Sequence, residues 1–181
     1  MDDEVIVMDN GAVIALACDH GGFELMSEIK AYLGDRGLKF ADFGTYSSDR
    51  CDYPDFARRA TDAIISGQCA AGILVCGTGV GMSIAANRVP GIRAALCGDC
   101  YTAELTRRHN DANVLALGGR VLGSGLALKI VETFLDTGFE GGRHGERIAM
   151  LDANRSAADT GLRVNSTSSA EQVWPVAMTK M

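Results

Sequence analysis

The run Gly72-Ile73-Leu74-Val75-Cys76-Gly77-Thr78-Gly79-Val80-Gly81-Met82-Ser83 constrains the fold more than any other stretch. Residues 73–75 are apolar and partly β-branched, the pattern of a short buried strand. Cys76 follows at the strand's end, and glycines then alternate at 77, 79 and 81. Such spacing lets the backbone turn tightly and come close to a ligand. Residues 82–87 read as the opening of a helix. A strand running through a glycine loop into a helix is half of a parallel βαβ unit. The amides of such a loop favour negative charge, on a bound anion or on the sulfur of Cys76. The spacing differs from the dinucleotide fingerprint, and no Lys-Ser/Thr pair follows as in a P-loop. Read by itself, the run is equally a structural turn with a small buried cysteine.

The remaining chain alternates in the same way. Residues 12–17 form an apolar run ending in the polar turn Cys18-Asp19-His20-Gly21-Gly22. Leu25, Met26, Ile29 and Leu33 recur at helical spacing. Residues 39–43 read as a second strand, and Pro54 begins a helix continued by Phe56, Ala60, Ala63 and Ile64. A fourth strand is expected at 92–97, with Asp99 as the N-cap of a helix over 101–109. A fifth is expected at 113–117, closed by Gly118-Gly119-Arg120. Leu126, Ile130, Val131 and Phe134 mark another helix, and a last one begins near Gly142 and passes Leu151.

This alternation predicts a three-layer, Rossmann-like α/β fold: a five-stranded parallel sheet with helices on both faces. Ligands of such sheets bind beyond the carboxyl ends of the strands. Asp19-His20, the loop 77–81 and Gly118 to Arg120 are therefore expected on one rim. The segment 152–181 differs. It is rich in Ser, Thr and Ala, and its few apolar residues lack a period, so it reads as a flexible extension on a domain spanning 1–151.

Composition narrows the partners. A net charge of −6 argues against nucleic acid but leaves room for a small phosphorylated ligand held by local arginines. No apolar run reaches membrane-spanning length, and the acidic start is unlike a signal peptide. Six cysteines without paired metal motifs suit free thiols in a reducing, cytoplasmic setting.

Few side chains suit chemistry. A carboxylate at Asp19 could orient His20 or raise its pKa, or simply cap the following helix. His109 ends a helix, where a cation is favoured. His144 is expected to face solvent with no role. Arg143 and Arg147, four apart, share a helix face and suit a phosphate, unless Glu140 or Glu146 pairs with them. Arg120 is a third candidate for the same anion. Cys97 and Cys100 offer only two ligands, so no metal site is expected. Thr78 sits where a hydrolase elbow would need serine.

Taken together, Cys-Asp-His-Gly-Gly-Phe at 18–23, Asp-Tyr-Pro at 52–54, the run from Cys76 to Asn87, Gly-Ile-Arg-Ala at 91–94, His-Asn-Asp-Ala-Asn at 109–113, and Gly-Gly-Arg-His at 141–144 with Arg147 resemble ribose-5-phosphate isomerase type B. The wider family includes galactose-6-phosphate and allose-6-phosphate isomerases. The resemblance implies aldose–ketose isomerisation of ribose 5-phosphate and ribulose 5-phosphate, without metal or organic cofactor. It implies a homodimer or dimer of dimers whose active sites draw on two subunits. By position, Cys76 matches the base and Thr78 the hydroxyl that moves protons between the sugar oxygens. Gly77, Thr78, Gly79, Val80 and Gly81 match the pocket for the enediolate. His109 matches the ring-opening group, and Asp19 and Asn110 match contacts to sugar hydroxyls. His20, Arg120, Arg143 and Arg147 match phosphate ligands, and Tyr53 matches a residue near the sugar. A six-carbon phosphosugar isomerase and a non-catalytic phosphosugar-binding protein are the competing readings.

Overall fold

A computed structural model describes residues 11–161. Its five strands are β1 (Val13–Cys18), β2 (Lys39–Asp42), β3 (Ala71–Cys76), β4 (Ala94–Leu96) and β5 (Val114–Gly118). They alternate with α1 (Phe23–Asp35), α2 (Tyr53–Ile65), α3 (Val80–Ala86), α4 (Cys100–Asn110), α5 (Ser124–Asp136) and α6 (Arg143–Gly161). All neighbouring strands are parallel, in the order β2-β1-β3-β5-β4. The predicted fold class is thus the observed one.

The order of strands decides which helices share a face. The chain steps outward from β1 to β2, crosses to β3, steps on to β4 and returns to β5. Right-handed crossovers then put α1 and α4 on one face and α2 and α3 on the other. Packing agrees: α5 lies against α1 and α4, while α2 lies against α3. The two cores follow the period of two in the strands. Ile73 and Val75 pack with Leu25, Met26, Ile29, Ile130 and Phe134. Leu74 and Cys76 point the other way, into an alanine-rich core with Ala57, Ala60, Ala63, Met82 and Ala86. Small residues there bring α2 and α3 close to the sheet beneath the glycine loop.

Boundaries shift in instructive places. Cys76 is the last residue of β3 instead of following it. β4 holds three residues where six were expected. It is an edge strand, and Arg93, just before it, turns aside to bond Asp111. Asp99 caps α4 as predicted, its Oδ1 accepting from the Thr102 amide at 2.7 Å. α6 passes Leu151 and continues to Gly161. The remainder of the expected extension, 162–181, lies outside the described residues, as does the acidic start. No helix among the described residues is long and apolar enough to cross a membrane.

Candidate active site

At the carboxyl rim, three loops lock together through backbone contacts. The Asp19 amide donates to Val75 O, Gly119 N to Cys76 O, and Arg120 N to Gly77 O at 3.0 Å. Gly79 has φ of 77°, and a Cβ there would sit 2.5 Å from Leu96 Cδ1 and 2.8 Å from the Leu117 carbonyl carbon. Only glycine fits both the angle and the space. All three loops meet on one rim, as the strand order implies.

Cys76 is buried, and its Sγ accepts the Gly79 N–H at 3.2 Å. That contact stabilises charge on sulfur. Burial pushes the Cys18 thiol up to about 12, with Asp42 adding to it, and does the same to Cys97, with Asp99 adding. Those two are held as inert thiols. The amides of residues 77, 78 and 80 make no backbone hydrogen bond among the described residues. α3 is only seven residues long, so the loop amides, more than a helix dipole, define this cradle. Exposed Thr78 stands at its mouth. The Tyr53 ring lies where a Cβ on Gly81 would be, 2.8 Å away, so α2 closes the loop's far side.

The partners of Asp19 and His20 differ from the expectation. Asp19 is buried, and its Oδ1 accepts from the Gly21 and Gly22 amides at 2.9 and 3.1 Å. It braces the turn and does not orient His20. The Cys51 amide does that, donating to His20 Nδ1 at 3.3 Å. An accepting Nδ1 leaves the proton on Nε2. Arg120 lies against the loop, its guanidinium 3.7 Å from the position of a Cβ on Gly77.

The other predicted residues gather elsewhere. His109 and Asn110 end α4, with Asp111 behind them at φ of 44°. Asp111 is held in that conformation by Arg107 at 2.9 Å and Arg93 at 3.0 Å. α4 starts beyond the carboxyl end of β4 and runs back along the sheet for about 16 Å. His109 therefore lies at the amino edge of the strands, with the start of α6, and Cys76 at the carboxyl edge. A single chain does not bring Arg143 and Arg147 to Arg120.

His144 overturns its expectation. It is 6% exposed, and its ring stacks on His109 with centroids 4.2 Å apart and planes 3° from parallel. The turn that allows this has two left-handed glycines, Gly141 at 68° and Gly142 at 52°. Glu140 folds back over the pair: its Oε2 is 3.7 Å from Nε2 of both His109 and His144. Its Oε1 accepts from Arg108 Nε at 2.5 Å. Arg108 holds the Glu140 carboxyl below the usual range, and burial, then His109 and Arg143, push His144 down. The Glu140–His144 spacing of four was the signal in the sequence. Because Arg108 claims Glu140, neither Arg143 nor Arg147 pairs with it. Arg120, Arg143 and Arg147 have no carboxylate partner among the described residues.

His109, Glu140 and His144 present donor atoms within 4.8 Å of one another, a metal-type grouping the sequence did not suggest. It fits a cation poorly. Parallel stacking keeps the two imidazole lone pairs from converging on one point. Arg108 binds the carboxylate, and Arg143 Nε sits 3.5 Å from His144 Nε2.

A parallel α/β sheet with a thiol in a glycine cradle and unpaired arginines describes a class of enzymes acting on small phosphorylated substrates. The chain belongs to the Ribose/Galactose Isomerase family, which matches residues 14–151. It is 51% identical over 140 residues to ribose-5-phosphate isomerase B of Escherichia coli strain K12, covering 77% of this chain and 94% of that protein. Ribose-5-phosphate isomerase B of Clostridium thermocellum superposes with a TM-score of 0.80 at 49% identity, covering 81% of this chain and 99% of that one. The Mycoplasma genitalium enzyme with bound ribulose-5-phosphate gives a TM-score of 0.78 at 39% identity, covering 82% and 99%.

Proposed function

We infer that this chain is an aldose–ketose isomerase, an intramolecular oxidoreductase, converting ribose 5-phosphate to ribulose 5-phosphate through an enediolate. The observation that carries the reading is the Gly79 amide on Cys76 Sγ within an otherwise open set of loop amides. Cys76 takes the proton from C2 of the open-chain aldose and returns it to C1. Thr78 moves the hydroxyl proton between O1 and O2. Within the loop 77–81, the open amides of residues 77, 78 and 80 hold the oxygen as it turns negative, without reorganising. Asp19, Tyr53 and Asn110 border the sugar. His109 opens the furanose. His20, Arg120, Arg143 and Arg147 bind the phosphate, whose remote contacts hold the sugar in register.

The opposite-edge placement of Cys76 and His109 supports a homodimer in which each site takes its rim from one subunit and its corner from the other. A dimer of dimers preserves the same arrangement. A reducing cytoplasmic compartment suits a thiol base. The roles need no metal or organic cofactor.

Incubation in heavy water tests the reaction. Ribose 5-phosphate should exchange its C2 hydrogen with solvent much faster than allose 6-phosphate. Faster exchange on the hexose would shift the assignment to a six-carbon sugar. Binding without exchange on either would leave a phosphosugar-binding protein.

A further inference from the structure

We propose that Glu140 and His144 are positioning residues for His109: the stacked His144 ring fixes the plane of the His109 imidazole, and Glu140 engages its Nε2, so that Nδ1 faces the sugar. This rests on the reading of His109 as the ring-opening group. In that step the bond between C1 and the ring oxygen breaks, the ring oxygen takes a proton, and the anomeric hydroxyl gives one up. The imidazole must therefore be fixed in plane and in tautomer.

The geometry supplies both. A ring stacked at 4.2 Å and 3° stops rotation about the last side-chain bond. His144 is the buried member, and burial favours its neutral form, which lessens charge repulsion in the stack. The 3.7 Å from Glu140 Oε2 to His109 Nε2 exceeds a hydrogen bond but lies at ion-pair range, where the carboxylate favours a proton on that nitrogen. Arg108, through Oε1, fixes the carboxylate and leaves Oε2 to the histidines. The groups recorded against His109 are Glu140 from the turn and His144 from α6, with Arg108 of α4 holding the other oxygen of Glu140.

Two measurements on the full chain test this. Imidazole nitrogen shifts by NMR should report His109 protonated on Nε2, and Glu140→Gln should move it toward a mixture of tautomers. An unchanged tautomer in Glu140→Gln would overturn the proposal, whatever the activity. In kinetics, Glu140→Gln should lower kcat on ribose 5-phosphate about 10-fold with little change in KM, a part of what a positioned acid–base group contributes. His144→Phe, which keeps a flat ring, should retain activity within about threefold, whereas His144→Ala should lose about 10-fold. Equal losses in Phe and Ala would overturn the stacking role. A tautomer change with no kinetic change would instead remove His109 from ring opening.

Discussion

The carboxyl rim and the α4–α6 corner are built in opposite ways. At the rim the polar groups are mostly main chain: loop amides, carbonyl-bonded turns, and glycines with no room for a side chain. At the corner they are side chains: two histidines, a glutamate and arginines. Backbone donors are fixed once the chain turns, which suits a charge that appears on one oxygen in one place. Side chains titrate and rotate, which suits proton transfer and the grip on a dianion. On the proposed function, the two regions divide the work by what each kind of group does well.

The largest effect to seek is loss of the base. Cys76→Ala should lower kcat by about 10³-fold while calorimetry shows substrate still bound. Retained turnover would take the sulfur out of the chemistry. Mixing then asks whether rim and corner serve one site across two subunits. Cys76→Ala and His109→Asn, each impaired alone, should recover about a quarter of wild-type activity when co-expressed, because half the dimers carry one intact site. No recovery would place both regions in one subunit's site.

Smaller effects sharpen the contrast. Arg143→Ala or Arg147→Ala should raise KM for the phosphosugar about 10-fold, consistent with one charge-assisted contact, and should not alter weak binding of unphosphorylated ribose. Gly79→Ala should cost about 2 kcal/mol of stability by strain and crowding, read as a lower Tm. The corner should also be the acid-sensitive region. His144 has its folded pKa below the ordinary 6.5, so the unfolded chain binds that proton more readily. Its contribution is complete above about pH 6.5 and is lost as pH falls through the folded value. Glu140, also lowered, acts in the same direction below its ordinary 4.5. Thermal melts of His144→Phe should decline less between pH 7 and 5 than those of the wild type.

The rim was largely legible in the sequence; at the corner His109, Asn110, Arg143 and Arg147 stood out, but the burial of His144 and its contact with Glu140 did not. Strand, cysteine and alternating glycines are contiguous from 72 to 83, so local pattern and loop chemistry coincide. Parallel topology then brings Asp19 and Arg120 alongside without further information. His144 escaped because its neighbours, Arg143 and Gly145, read as surface, while its burial comes from His109, thirty-five positions earlier. His20 takes its orientation from Cys51, thirty-one positions later. Contacts made by long-range packing leave no periodic trace. β4 was overextended because Ile92 and Arg93 look like strand residues but serve a turn and an ion pair.

The interlocked glycines carry a consequence for how such an enzyme changes over time. Peptide groups are common to every residue, save the N–H that proline lacks, so side-chain substitutions cannot retune them gradually. On the proposed reading, an altered preference for sugar length must then arise at side chains assigned to the substrate, such as Tyr53, Asn110 and Arg147. Laboratory selection for a longer substrate should leave position 79 untouched while those neighbours diversify.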